Sequence, residues 1–156
     1  MNKKNLLWIT DPWSTLDFPK DTTFRLIQES IKMKFDNYWC DVRTIRFEND
    51  IVVCDAEKIL KIEDPRTPEK ISKSAIERFE VSRASHVFFR TDPPVDLSFL
   101  LPLQILQLTK NSKKHPLFIN PLDTLLSLNE KIECLSLPGI AAKSFISSDP
   151  AQLIST

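Results

Sequence analysis

Apolar positions along the chain follow two rhythms. Three short runs are continuously apolar and rich in aromatic and β-branched residues: Leu6 to Thr10, Val87 to Arg90 and Leu117 to Asn120. A strand with one wet face alternates, whereas a strand covered on both faces does not, so these runs predict parallel strands inside a sheet. Between and after them, apolar residues recur every three or four positions. Thr22 to Phe35 sets Phe24, Ile27 and Ile31 on one stripe, with Asp21 as its N-cap. Thr67-Pro68 puts a capping residue before a proline in the first helical position and predicts a second helix presenting Ile71, Ala75, Ile76 and Phe79. A third follows Asp96, with Leu100, Leu103 and Leu106 or Gln107 on successive turns and Pro102 delaying its start or bending it. A fourth spans about Asp123 to Leu135, and Gly139 beyond it reads as a helix stop. Strands separated by amphipathic helices predict a doubly wound α/β sheet.

The stretch Trp39 to Ile62 breaks that alternation. Val42, Thr44, Ile45 and Phe47, then Glu48-Asn49-Asp50, then Ile51-Val52-Val53-Cys54 read as two strands joined by a hairpin turn. A β-hairpin insertion at one edge of the sheet, near residues 39–62, is expected.

Each buried run ends in polar residues stiffened by proline. Thr10-Asp11-Pro12 follows the first, Arg90-Thr91-Asp92-Pro93-Pro94 the second, and Asn120-Pro121 the third. Parallel strands point the same way, so these ends share one edge of the sheet, where open α/β sheets bind ligands. Asp11, Arg90, Asp92 and Asn120 are thus expected to converge on one crevice. Each of them, taken singly, also reads as an ordinary turn or cap residue.

Composition narrows what that crevice can hold. The chain of 156 residues balances 21 basic against 21 acidic side chains. A nucleic-acid or anionic-membrane surface needs a clustered basic excess, so neither partner is expected. No apolar run approaches the roughly 20 residues of a spanning helix. The apolar run after Lys3 and Lys4 is too short for a signal peptide and meets Asp11 and Pro12 at once. Cys40, Cys54 and Cys134 are odd in number and widely spaced, which predicts reduced thiols in a cytoplasmic protein. With His86 and His115 alone beside them, no metal site is expected. The single glycine excludes the dinucleotide fingerprint and the P-loop, both of which need several.

Three groups of residues now combine. Lys20-Asp21-Thr22-Thr23-Phe24 at the first helix, Arg90-Thr91-Asp92-Pro93-Pro94-Val95-Asp96, and Asn120 followed by Leu125 and Asn129-Glu130-Lys131 resemble, in order and spacing, the N-terminal part of bacterial glutathione synthetase. Ile9-Thr10-Asp11-Pro12 looks like that family's first strand and loop, and Phe145 to Pro150 like the strand entering its next domain. The resemblance implies a Rossmann-like, mostly parallel substrate domain over residues 1–140 and the start of an ATP-grasp domain over 141–156. It implies an ATP-grasp ligase that joins γ-glutamylcysteine, a small thiol peptide, to glycine: ATP and Mg²⁺ phosphorylate the cysteinyl carboxylate, and the glycine amine then displaces phosphate. It adds Lys20, Asp21 and Thr23 to the substrate crevice and places Lys131 on the nucleotide phosphates.

The chain departs from the family pattern where the motif usually reads Arg-Lys-Asp-Pro-Pro. Thr91 stands in place of the lysine, Leu126 stands where family members usually carry arginine, and Pro121 follows Asn120 directly. Phosphoryl transfer needs a cationic clamp, a flexible loop and Mg²⁺-binding carboxylates. The family places all of these except the first lysine beyond Thr156, so these residues are expected to be inactive alone and to need no cofactor of their own. An ATP-grasp domain, in the same chain or a separate one, is the expected partner. The alternative is a free-standing binding or regulatory module that kept the fold and lost the reaction, with an apolar face covered by self-association. A small α/β enzyme with a self-contained site is a third reading, weakened by the lack of a nucleophile beside a histidine.

Overall fold

The structure, a computed structural model, describes residues 4–112, 114–127, 130–137, 139 and 143–154. The chain divides into two compact units, residues 1–126 and 127–156. The boundary expected at residue 140 falls at 140–142, outside the described residues.

In the first unit, β1 (Asn5–Thr10), β2 (Asp36–Asp41), β7 (His86–Phe89) and β8 (Leu117–Ile119) run parallel in the order β2-β1-β7-β8. The three apolar runs are β1, β7 and β8, as the lack of alternation predicts. The α/β class holds, with helices on both faces of one mixed sheet. On one face α1 (Thr23–Lys32) buries Phe24 and Ile27 against Leu6, Trp8 and Trp39. On the other, α2 (Leu97–Gln107) and α3 (Leu122–Ser127) bury Leu103, Leu106 and Leu122 against Leu7, Ile9, Val87 and Phe89. β8 is the edge strand, and its Leu117 and Ile119 are exposed where full burial is expected, because among the described residues of this unit no further strand pairs with β8.

The remaining strands are antiparallel and form a larger insertion than the hairpin expected over 39–62. β3 (Arg46–Glu48) turns into β4 (Ile51–Ile62) through Asn49 and Asp50, both at positive φ. Asn and Asp tolerate that conformation, and it suits a two-residue hairpin turn. β4 is paired along both edges: β2 and β3 on one, β5 (Ile71–Lys73) and β6 (Glu77–Glu80) on the other. Trp39 to Asp41, read as the start of the insertion, belong instead to β2 of the parallel set.

The helix expected after Thr67-Pro68 does not form. Pro68–Lys70 make one 3-10 turn, after which Ile71 pairs with Ile62 and Phe79 with Cys54. Ile71 and Phe79 are buried as expected, but across a sheet, and Ile76 is exposed. The first helix is Thr23–Lys32 within the expected 22–35, and the third begins at Leu97 with no delay at Pro102. Asp96 caps it, accepting from the N–H groups of Ser98 (2.9 Å) and Phe99 (3.3 Å).

In the second unit, the helix expected to reach Leu135 gives way to a 3-10 turn at Cys134. Residues 128–129 lie outside the description, α4 covers Glu130–Glu133, and Cys134–Ser136 form a 3-10 turn. The strand expected from Phe145 to Pro150 is absent among the described residues, and Pro150–Ile154 form a short helix, α5. Asp149 accepts the Ala151 N–H at 3.0 Å, so an acidic cap before a first-turn proline starts a helix there.

Candidate functional site

The carboxyl ends of β1, β2 and β7 open into a cleft of about 640 Å³. Each wall is built by the residues that leave a strand. β1 is buried up to Thr10, whose hydroxyl accepts the Trp39 indole N–H (2.8 Å) and donates to the carbonyl of Asp11 (2.9 Å). The chain then turns at Asp11-Pro12, and Thr15 N–H closes a 3-10 turn on the Pro12 carbonyl at 2.8 Å. Trp13, inside that turn, packs its ring edge-on against Trp39 (5.1 Å) and Phe24 (5.2 Å). Lys73 Nζ, from β5, lies 3.7 Å from the Trp13 ring and 2.8 Å from Glu57. The first wall is thereby fixed to the aromatic side of the core.

The second wall is the start of α1. Asp21 Oδ1 accepts the Thr23 N–H at 2.5 Å, and this leaves the hydroxyls of Thr22 and Thr23 facing the third wall. They accept from Arg90, Thr23 Oγ1 from Nε at 3.1 Å and Thr22 Oγ1 from Nη2 at 2.9 Å. Arg90 leaves the end of β7 with its own N–H still donating to the Ile9 carbonyl (2.8 Å). Two residues on, the Asp92 N–H donates to Asp11 Oδ2 at 2.8 Å, which joins the first and third walls. Arg43 completes the rim after β2. Its guanidinium grips both carboxylate oxygens of Asp41, with a closest approach of 2.7 Å, and that partner raises its pKa further above the usual arginine value.

Six of the expected crevice residues therefore line one cleft: Asp11, Lys20, Asp21, Thr23, Arg90 and Asp92. Asn120 does not line it. It follows β8, one strand further along the edge, next in register to the Phe88–Ile119 pair. Lys131 lies in α4, and its side chain falls outside the described residues. The cleft also takes in Asp17, Thr22, Arg43 and Ser98. Arg43 was hidden because β2 was not read as a strand; Asp41-Val42-Arg43 is the same strand-end signal as Thr10-Asp11-Pro12.

The charges of the cleft are unevenly matched. Lys20 pairs with Asp17 at 3.0 Å and Arg43 with Asp41. Arg90 meets only neutral hydroxyls and carries no ion pair among the described residues. Asp11 on the first wall and Asp92 on the third are joined through a backbone N–H and not through a cation. Thr91 also lines the cleft, and its hydroxyl is buried with no hydrogen-bond partner among the described residues.

Comparison with known proteins now decides the lineage. Residues 5–125 match the family model of the prokaryotic glutathione synthetase N-terminal domain, a span that holds every strand of the sheet and every wall of the cleft. The chain belongs to that family. It is similar to the glutathione synthetase of Wigglesworthia glossinidia brevipalpis, with 30% identity over 82% of this chain and 39% of that protein. The glutathione synthetase of Neisseria meningitidis is 23% identical over 95% of this chain and 46% of its own length, and that of Vibrio vulnificus 20% over 88% and 42%. The chain thus spans less than half the length of these relatives. Within the matched span, the cleft is built by the loops that follow the parallel strands, and the β3–β6 insertion lies on the far side of β2.

Proposed function

We propose that residues 1–156 form the substrate-holding part of a glutathione synthetase-like ATP-dependent ligase, with the cleft receiving γ-glutamylcysteine. The single observation that carries this reading is Arg90: a guanidinium oriented by two hydroxyls at the mouth of a cleft, with no carboxylate of its own among the described residues. A carboxylate brought by a ligand supplies the missing partner, and charge-assisted pairs of that kind are the strong ones. Asp11 and Asp92, which line the same cleft, offer acceptors for the ammonium of the same amino-acid head group. Lys20, Asp21 and Thr23 complete the wall, Asp21 by fixing the helix start that presents the hydroxyls.

ATP with Mg²⁺ supplies carboxylate activation in the complete family enzyme. No group of three or more His, Cys, Asp or Glu side chains among the described residues is placed to hold a metal, and Asp17 is engaged by Lys20. This reading makes residues 1–156 inactive alone and dependent on an ATP-grasp domain, with Lys131 as this chain's contribution to the nucleotide phosphates.

Two measurements test it. Titration calorimetry with γ-glutamylcysteine is expected to show binding that Arg90→Gln weakens at least tenfold, about 1.4 kcal/mol, with the unfolding transition unchanged. Unaltered affinity in that variant refutes the assignment of Arg90. Ligation assays with ATP, Mg²⁺ and glycine are expected to show no turnover by residues 1–156 and turnover once the remaining part of a relative is added. Turnover by these residues alone removes the claim of incompleteness. Binding without turnover in the mixture favours the free-standing module, the reading that the missing cations at Thr91 and Leu126 also favour.

A further inference from the structure

Opposite charges on the surface of the first unit find one another. Lys20 pairs with Asp17, Lys32 with Glu29, Lys61 with Glu63 and Lys110 with Asp123, at 2.6 to 3.0 Å. One place breaks that pattern. A second hollow, of about 700 Å³, is lined by two acids, Asp50 and Glu80, and by two bases, Arg83 and Lys114, yet neither acid is ion-paired with either base. It shares no lining residue with the cleft.

Local structure holds the four charges apart. Asp50 ends the β3–β4 turn at φ 62° and its carboxylate has no partner among the described residues. The Glu80 carboxylate, at the end of β6, accepts the Ser82 hydroxyl, which orients it. Arg83 closes the 3-10 turn that follows, with its guanidinium carbon 4.8 Å from the centre of the Phe79 ring. Glu77 lies 3.7 Å from that guanidinium, too far for a hydrogen bond, so the fork keeps its N–H donors for another acceptor. Lys114 comes from the segment between α2 and β8 and makes no ion pair among the described residues. Asn111 and Ser112 precede it, and Asn5 is tied to the Arg83 carbonyl through Nδ2 at 3.3 Å.

We propose that this hollow binds a small zwitterion, with the ammonium on Asp50 and Glu80 and the carboxylate on Arg83 and Lys114. A lone anion would meet two carboxylates there and a lone cation two bases. Among the described lining residues only a dipolar ligand gains from both pairs. Arg83 offers the planar fork that matches a carboxylate, and Lys114 adds a point charge. Asn5, Asn111 and Ser112 supply donors and acceptors of the kind a peptide group needs. The volume falls within the roughly 300 to 1,000 Å³ of small-molecule sites. Free amino acids and short peptides share these head groups and are the two sources of such a ligand. Asp50, Arg83 and Lys114 are exposed, so binding is weak, fast to exchange and weakened by salt. This inference does not depend on what the cleft binds.

Titration of ¹⁵N-labelled residues 1–156 with triglycine, followed by two-dimensional NMR, is the test. The expected result is saturable shifts of the amide signals of Ser82, Arg83, Asn111 and Ser112. N-acetyltriglycine lacks the ammonium and triglycine amide lacks the carboxylate, and each is expected to bind at least tenfold more weakly. Lys114→Gln and Asp50→Asn are each expected to weaken triglycine binding at least threefold; both positions are exposed, and Asn tolerates the positive φ at position 50. Glycine distinguishes the sources: affinity equal to that of triglycine assigns the hollow to free amino acids, and lower affinity assigns it to peptides. Absence of shifts at the hollow up to the solubility limit of triglycine overturns the proposal, as does equal binding of the two blocked peptides. Shifts confined to the amides of Thr22, Thr23 and Asp92 place the peptide in the cleft instead and overturn it as well.

Discussion

The parallel and antiparallel parts share one sheet and both of the hydrophobic clusters on its faces but divide the work. In the parallel part, four strands of three to six residues all point the same way, so the residues leaving β1, β2 and β7 gather on one edge. In the antiparallel part, a single strand of 12 residues carries partners on both edges and successive ends point in opposite directions. Its charged residues pair with one another: Arg46 with Asp55 and Glu48, and Arg78 with Glu48. Strand direction, more than composition, decides which part makes a site. The antiparallel part contributes support from behind, through Lys73 on Trp13.

If the two parts are one cooperative body, damage to either must unfold both. Phe79, fully buried on β6, touches the Tyr38 ring of β2 at 4.6 Å and so bridges them. Phe79→Ala is expected to cost about 4 kcal/mol, with circular dichroism and tryptophan fluorescence reporting one coincident transition in urea. Two separated transitions would break the comparison at its root.

Asn37 is the corresponding point in the parallel part. It is fully buried, accepts from Trp8 Nε1 (2.9 Å) and Ser30 Oγ (2.5 Å), and donates to the Phe35 carbonyl (3.1 Å). Asn37→Ala orphans the indole N–H and is expected to cost about 2 to 3 kcal/mol in the same urea titration.

A smaller effect sharpens the idea of support. Lys73→Met removes the cation over Trp13 and leaves Glu57, itself mostly buried, without its partner. A loss of about 1 to 2 kcal/mol is expected, together with altered Trp13 emission. Ligand affinity should fall in step, and unchanged affinity would mean that the first wall does not need its brace.

The least effect concerns pH. The Ser98 hydroxyl and the first N–H groups of α2 hold the Asp96 carboxyl below the usual carboxylate range, and Arg78 does the same for Glu48. A depressed native pKa stabilises above the unfolded value, near 4, and that contribution disappears as pH falls through the native value. Asp96 is exposed and Glu48 partly exposed, so screening keeps the effect small. Unfolding midpoints measured from pH 6 down to 3 should fall, and Asp96→Asn should flatten part of that slope.

Much of this arrangement is legible in the bare chain. Runs covered on both faces announce themselves as β1 and β7, and the polar residues at their ends foretell most of the cleft. β2 is hard to see because its apolar run is only Tyr38-Trp39-Cys40, preceded by Asp36-Asn37 and followed by Asp41, and only tertiary partners show that the Asn37 amide is satisfied in the core. Arg43 was lost with it. The segment after Pro68 misled for a related reason: Ile71 and Phe79 fit a helical stripe as well as two strands, and their partners Ile62 and Cys54 lie 9 and 25 positions earlier. Local spacing carries no record of so distant a pairing.

Cys40 on β2 and Cys54 on β4 sit at the seam between the two parts, both fully buried, with the Cys40 thiol pushed up chiefly by its burial. A thiol reagent reaches them only when that seam opens. Their modification rate in the native protein is therefore a clock for seam breathing, readable by mass spectrometry without any engineered label.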